Sequence, residues 1–206
     1  MSALDTTRPV YLVVNPHSGY GSGKHMLGEL RRAAASAGLT LQEYRTRGLE
    51  DAREFAHGVS DRAAAVLVWG GDGTVNAVSA GLAGTGTPLL PCPIGTENLL
   101  ASDLKIPTDP RKIIEILLAG RIAPCDTGMV NHKRFVLIIG IGFDGEVVRR
   151  LTAERSGHIT KLSYFWPLWR TFWEHDFPRM RIRADGERVF DGRGLAFVGN
   201  IARYAT

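Results

Sequence analysis

The stretch Gly70-Gly71-Asp72-Gly73-Thr74 combines glycine, carboxylate and hydroxyl at a spacing that suits phosphate chemistry. It follows an apolar run, Ala65-Val66-Leu67-Val68, and precedes Val75, Val78, Ser79 and Leu82, which share one helical face. The glycines therefore sit where a strand turns into a helix. Glycine permits positive φ and lets another group come close to the backbone. The opening of a helix offers N–H groups and a positive dipole end to an anion. Asp72 is out of place for anion binding alone, because a carboxylate beside phosphates implies a bound Mg²⁺ or a hydroxyl to be activated. These residues read as nucleotide binding with phosphoryl transfer. An aspartate serving only its own turn is the alternative, since Asp-Gly pairs are common in turns.

Two more loops share this design. Val10-Tyr11-Leu12-Val13-Val14 reads as a buried strand and runs into Asn15-Pro16-His17-Ser18-Gly19-Tyr20-Gly21-Ser22-Gly23-Lys24. A P-loop needs four residues between its first Gly and Gly-Lys; Gly19 to Gly23 leaves three, and His25 stands where Ser or Thr should hold Mg²⁺. A flexible connector explains this loop, taken alone, as well as a phosphate loop does. The third loop, Pro93-Ile94-Gly95-Thr96-Glu97-Asn98, follows the short apolar run Pro88-Leu89-Leu90-Pro91.

The elements that must position these loops alternate. A helix carries Leu27, Leu30, Ala34 and Ala37 and stops at Gly38; a strand runs from Leu39 to Thr46; a helix carries Ala52, Phe55, Ala56 and Val59. Asp109 caps a further helix with Pro110 at its first position and Gly120 at its end. Strand and helix alternation over residues 10–120 predicts a parallel sheet covered on both faces. Ligands bind such sheets beyond the carboxyl ends of the strands, where all three loops lie. After Asp126 the grammar changes. Phe135 to Ile139 reads as a strand, Arg179–Arg183 and Arg188–Phe190 flank an Asp185-Gly186 hairpin turn, and Gly194 to Val198 reads as another strand. The expected fold class is α/β: a Rossmann-like parallel domain over 8–125, then an incomplete antiparallel β domain over 126–206.

With 206 residues, 44% apolar and 22% charged, the chain has the composition of an ordinary globular protein. Its formal charge of +4 suits ATP or an anionic membrane surface and is too small and too spread to indicate nucleic acid. The two cysteines, Cys92 and Cys125, have no metal-ligand spacing and read as buried thiols of a reducing compartment. No signal peptide and no long apolar run is seen, so the expected location is the cytoplasm, with peripheral contact at a membrane.

Together the loops resemble the catalytic domain of diacylglycerol kinases, in a superfamily with sphingosine kinases, bacterial lipid kinases and, more distantly, NAD kinases and phosphofructokinases. The matching pieces are Asn15-Pro16-x-Ser18-Gly19, Gly70-Gly71-Asp72-Gly73-Thr74, Pro93-x-Gly95-Thr96-x-Asn98, Asp126, Gly142-Phe143-Asp144, Lys161 with Tyr164, and Gly199-Asn200. The first and third loops point to the lipid-kinase branch rather than to NAD kinases. The resemblance implies an ATP- and Mg²⁺-dependent lipid kinase with ATP in a cleft between two domains. It implies that Asn15, Ser18 and Gly19 lie near the nucleotide. Gly70, Gly71, Gly73 and Thr74 then cradle phosphates, with Thr74 donating from the helix start, and Gly95, Thr96 and Asn98 complete the pocket. It implies catalytic roles for Asp72, linked to Mg²⁺ through water, and for Lys161, which neutralises charge on the moving phosphoryl group. Asp144 stands where some relatives contact the lipid head group.

Two departures from the family pattern stand out. Leu99 occupies a position where the family often has Asp; sphingosine kinases also carry an apolar residue there. Relatives also run on beyond the position of Thr206 and supply, after an Asp-Gly turn, a glutamate acting as base. The expectation is therefore a fragment, a truncated gene product, or a nucleotide-binding module without full chemistry. NAD kinase is the lower-ranked alternative. Trp169, Phe172 and Trp173 share a helical face after Pro167, near Trp166. That stripe suits the membrane interface, or packing against the β domain or a second copy of the chain.

Overall fold

Apolar runs and helical periodicities alternate through the first 120 residues, and the backbone follows them. A computed structural model of the protein describes residues 4–5, 7–18, 23–95, 97–141 and 179–201. In chain order the first elements are β1 (Val10–Val14), α1 (Gly23–Ser36), β2 (Leu41–Arg45), α2 (Leu49–Val59), β3 (Ala65–Gly70), α3 (Asp72–Leu82), β4 (Leu89–Pro93), α4 (Leu99–Asp103) and α5 (Pro110–Ala119). β1 to β4 form a parallel sheet in the order β2-β1-β3-β4. The chain moves outward from β1 to β2, returns past β1 to β3 and continues to β4. The direction reverses between β1 and β3, where open α/β sheets bind ligands.

Why β1 and β3 are continuous apolar runs follows from this position. Val10, Leu12 and Val14 pack with Leu67 and Trp69 against α1 and α5 on one face. Tyr11 and Val13 pack with Val66 and Val68 against α2 and α3 on the other. Both faces are dry, so neither set of alternate positions is free to be polar. Each fully buried side chain of this size contributes about 1.5–3 kcal/mol. α2 and α3 pack closely at Gly81, where an added Cβ would collide with the carbonyl oxygen of Arg53 and press on Ala56. The ends of α5 are as the sequence predicts. Asp109 accepts the Arg111 N–H at 2.9 Å, and Gly120 closes the helix at φ 61°.

Antiparallel pairing begins after residue 126. β5 (Gly128–Val130) pairs with β6 (Lys133–Phe135), β7 (Ile138–Ile141) with β10 (Ala196–Gly199), and β8 (Arg179–Ala184) with β9 (Glu187–Arg193). By compactness the chain divides into two units, Met1–Leu137 with Asn200–Thr206, and Ile138–Gly199. In the second unit β8 and β9 join through Asp185 and Gly186, both at positive φ as a tight hairpin requires.

Three details differ from the sequence reading. The strand expected at Phe135–Ile139 is broken between β6 and β7. Val136 donates its N–H to Asn76 Oδ1 at 2.9 Å and Leu137 accepts from the Asn200 N–H at 2.9 Å, so neither backbone group is free for a ladder. Asn200 also donates its side-chain amide to the carbonyls of Asp126 (2.6 Å) and Val136 (3.2 Å). Cys92 is buried as expected, but Cys125 is exposed, lying in the connection between α5 and β5. α4 is an element the periodicity does not announce, because five residues are too few to show a period. Among the described residues no helix is long and apolar enough to cross a membrane.

Candidate functional site

β1 and β3 end side by side, with Val14 opposite Trp69. The first loop is pinned to that edge. Asn15 donates its backbone N–H to the Trp69 carbonyl at 2.9 Å and its side-chain amide to Thr74 Oγ1 at 2.8 Å. Its Oδ1 accepts the His17 N–H at 3.0 Å, and its carbonyl accepts the Ser18 N–H at 3.1 Å. The Ser18 hydroxyl accepts the Gly71 N–H at 3.3 Å. These bonds fold the first loop over the start of α3.

Thr74 sits beneath this contact, 2% exposed. Its N–H is bonded to the Gly71 carbonyl at 2.9 Å. A Cβ on Gly70 would come within 2.6 Å of Thr74 Cβ. Gly70 therefore gives Thr74 its place, and Thr74 in turn braces Asn15. Among the described residues, no acceptor meets the N–H groups of Asp72 and Gly73.

The third loop closes on itself and on the second. Asn98 is left-handed (φ 52°), a conformation asparagine tolerates. Its Oδ1 accepts the Gly95 N–H at 2.6 Å and its amide donates to the Gly95 carbonyl at 2.8 Å. A Cβ on Gly95 would lie 3.0 Å from the Gly71 Cα, so the two loops touch backbone to backbone. Asp72 Oδ1 accepts the Leu99 N–H at 2.8 Å, at the start of α4. Burial pushes the Asp72 carboxyl above its ordinary value of 3.8; the N–H groups of Leu99, Asn98 and Leu100 pull it down, and the charge of Glu97 adds to the upward push.

A fourth loop, which the sequence reading did not single out, joins this edge after β2. Thr46 donates its N–H to the Val14 carbonyl at 3.0 Å and its hydroxyl bonds the Gly48 carbonyl and, at 3.1 Å, Asp51 Oδ2. The Leu49 side chain lies 3.7 Å from where a Gly73 Cβ would sit. The available signal was a Thr at a strand end followed by Gly and then Asp51, a turn-and-helix start.

The structure thus brings Asn15, Ser18, Gly70, Gly71, Asp72, Gly73, Thr74, Gly95 and Asn98 to the carboxyl ends of β1, β3 and β4. Gly19, Thr96, Asp144 and Lys161 lie outside the described residues, as do Tyr164 and the tryptophan stripe. A groove of about 530 Å³ between α1 and α5 is lined by Arg32, Ala33, Ile114 and Leu118 and by no residue of these loops. No three His, Cys, Asp or Glu side chains among the described residues converge as an all-protein metal cage. Mg²⁺ needs no such cage, since it keeps waters and binds through one or two carboxylates plus substrate phosphates. Asp72 supplies such a carboxylate, and the N–H groups of Asp72 and Gly73, which meet no acceptor among the described residues, suit the phosphates.

The chain is similar to known proteins. The profile of the diacylglycerol kinase catalytic domain matches residues 9–130. The chain is 28% identical over 192 residues to a diacylglycerol kinase of Staphylococcus carnosus, covering 91% of this chain and 62% of that protein. It is 33% identical over 110 residues to a Cronobacter sakazakii protein named "Probable lipid kinase YegS-like", covering 51% of this chain and 37% of that one. A crystal structure of a diacylglycerol kinase from Bacillus anthracis superposes with a TM-score of 0.71 at 25% identity, covering 95% of this chain and 65% of that one. The chain therefore spans less than two thirds of the length of these relatives.

Proposed function

The chain belongs to the diacylglycerol kinase catalytic-domain family, and on that footing we propose that it binds ATP with Mg²⁺ and serves transfer of the γ-phosphoryl group to a hydroxyl of diacylglycerol or a related lipid or sphingoid base. The observation that carries this reading is the contact of three glycine-bearing loops at one sheet edge, with Gly95 against Gly71 and Asp72 bonded to Leu99. An anion at the start of α3 meets the N–H groups of Asp72 and Gly73 and the positive end of an eleven-residue helix. Asn15 and Thr74 hold the first loop against the second, and Asn98 holds the third loop closed. Asp72 holds Mg²⁺ through water; bound Mg²⁺ supplies charge neutralisation on the phosphates. The resemblance gives Gly19 and Thr96 to nucleotide binding, Lys161 to neutralising the moving group, and Asp144 to recognition of the lipid head group. Residues 8–125 carry the nucleotide and 126–206 the lipid side. The proposed setting is the cytoplasmic face of a membrane.

A second reading is a nucleotide-binding module without full chemistry. Leu99 bears on the choice: it supplies no second carboxylate beside Asp72, yet sphingosine kinases also carry an apolar residue there, so the position argues for a sphingoid-type branch more than for the module. Transfer of labelled phosphate from ATP separates the readings, with dioleoylglycerol or sphingosine in mixed micelles, or NAD, as acceptor. Label in the lipid that requires Mg²⁺ and Asp72 supports the kinase. ATP binding without transfer supports the module. Label in NAD overturns the lipid acceptor.

A further inference from the structure

Asp126 and Gly199-Asn200 take no part in the nucleotide loops, and their bonds lie at the seam of the fold. The chain enters the second unit after Leu137 and leaves it before Asn200. Asn200 joins these two crossings. Its backbone N–H donates to the Leu137 carbonyl at 2.9 Å, and its side-chain amide donates to the carbonyls of Val136 at 3.2 Å and Asp126 at 2.6 Å. Val136 and Leu137 are buried in the cluster that holds Val75 and Val78 of α3, and Ile201 packs against that cluster.

A second fastening comes from α3 itself. Asn76 Oδ1 accepts the Val136 N–H at 2.9 Å. Asn76 stands four residues after Asp72, so it lies one turn on along the same side of the helix, about 6 Å along its axis. Asp72 Oδ1 accepts the Leu99 N–H at 2.8 Å. One side of α3 thus carries two side-chain oxygens a turn apart. The first holds the third loop, and the second holds the chain at its crossing. The N–H groups of Asp72 and Gly73, which meet no acceptor among the described residues, open the same helix. Merely satisfying the buried backbone at Val136 needs any acceptor. An acceptor on α3, one turn from the phosphate end, also makes the crossing depend on that helix, and a single helical turn transmits a displacement as a rigid element.

We propose that Asn76 and Asn200 are positioning residues that tie both chain crossings to α3, so that a nucleotide held at the start of α3 tightens Val136, Leu137 and Asn200. This rests on the reading of α3 as the phosphate end of a nucleotide site. The coupling is reciprocal, so a loosened crossing weakens nucleotide binding by the same factor.

The test is amide hydrogen exchange of the full chain, read at Val136 and at residue 200, with and without Mg²⁺-ADP, from which no phosphoryl group is passed to a lipid. The two asparagines need opposite chemistry. Asn76 acts as an acceptor, which aspartate preserves; Asn200 acts as a donor to two carbonyls, which an aspartate carboxylate cannot replace. Without nucleotide, N76D is therefore expected to exchange as wild type does, whereas N76A and N200D exchange about three- to tenfold faster at both amides. Saturating Mg²⁺-ADP is expected to slow both amides roughly threefold or more in wild type and to leave N76A unchanged. N200D exchanging as slowly as wild type overturns the proposal. So does equal acceleration in N76D and N200D, which would make the effect one of packing rather than of donor and acceptor. ADP that binds by calorimetry yet leaves both amides of wild type unchanged, or slows them equally in N76A, overturns it as well. A folded wild type that takes up no ADP refutes the nucleotide reading instead, and the aspartate pair still decides the tie.

Discussion

The carboxylate of Asp72 accepts the backbone N–H of Leu99 at 2.8 Å, so the residue assigned to Mg²⁺ also fastens the third loop to the second. Its two tasks respond differently to substitution. Asp72→Ala removes both the charge and the acceptor. Asp72→Asn keeps an oxygen for the Leu99 N–H and removes only the charge.

Burial raises the Asp72 carboxyl above 3.8, so the folded chain holds this proton to higher pH than the unfolded chain. Its stabilising contribution is complete below the unfolded value and is lost as pH rises through the raised folded one. Asp72→Asn is therefore expected to melt a few degrees above wild type at neutral pH, with the difference vanishing below about pH 4. It should bind Mg²⁺-ATP more weakly all the same. Melting curves over the pH range check this; a wild type that melts higher than Asp72→Asn at neutral pH contradicts it.

Asn15 and Thr74, the latter buried and the former half-buried, form a pair that couples the first two loops. Thr74→Val leaves the Asn15 amide without its acceptor and is expected to cost about 1–3 kcal/mol. A double-mutant cycle with Asn15→Ala, read by denaturant unfolding, should return a coupling of about 0.5–3 kcal/mol. Additive effects would mean that the bond contributes nothing.

Two glycines separate stability from binding. Gly81→Ala forces α2 and α3 apart and should destabilise the fold by about 1–3 kcal/mol. Gly95→Ala presses on the Gly71 backbone and on Asn98, both at 3.0 Å, and should lower nucleotide affinity with a smaller loss of stability. Nucleotide titration and unfolding of both variants test the split; a Gly95→Ala chain with wild-type affinity removes the third loop from the site.

Asp51 predicts an acid limb to the stability curve. The Arg47 backbone N–H and guanidinium, with the Tyr44 hydroxyl and Thr46, hold its carboxyl well below the usual carboxylate range. The stability it adds is present above the unfolded value near 3.8 and is lost as pH falls toward the depressed folded one. Asp51→Asn should therefore melt lower than wild type at neutral pH and converge with it in acid. Parallel curves at every pH would contradict this.

Much of the first unit was legible in the sequence because its strands are buried on both faces and its helices on one. Val10–Val14 and the Asp109–Gly120 helix follow the residues directly. The three loops were legible as glycine clusters after strands. What the sequence could not convey was the use of their polar groups. Thr74 and Asn98 read as ligand donors, yet their bonds run to Asn15, Gly71 and Gly95, and only the closed register of the loops reveals that. Thr46 carried too local a signal to be noticed, and the break at Val136 depended on Asn76 and Asn200, both more than fifty residues away in sequence.

The central claim is that the contact of the three loops is a nucleotide site. Calorimetric titration with ATP, with and without Mg²⁺, tests it on wild type and Asp72→Ala. The account predicts a dissociation constant in the tens to hundreds of micromolar, about −5 to −6 kcal/mol, with the Mg²⁺-dependent part lost in Asp72→Ala. A folded wild-type chain that takes up no ATP, or an Asp72→Ala chain with unchanged affinity and unchanged Mg²⁺ dependence, would contradict it.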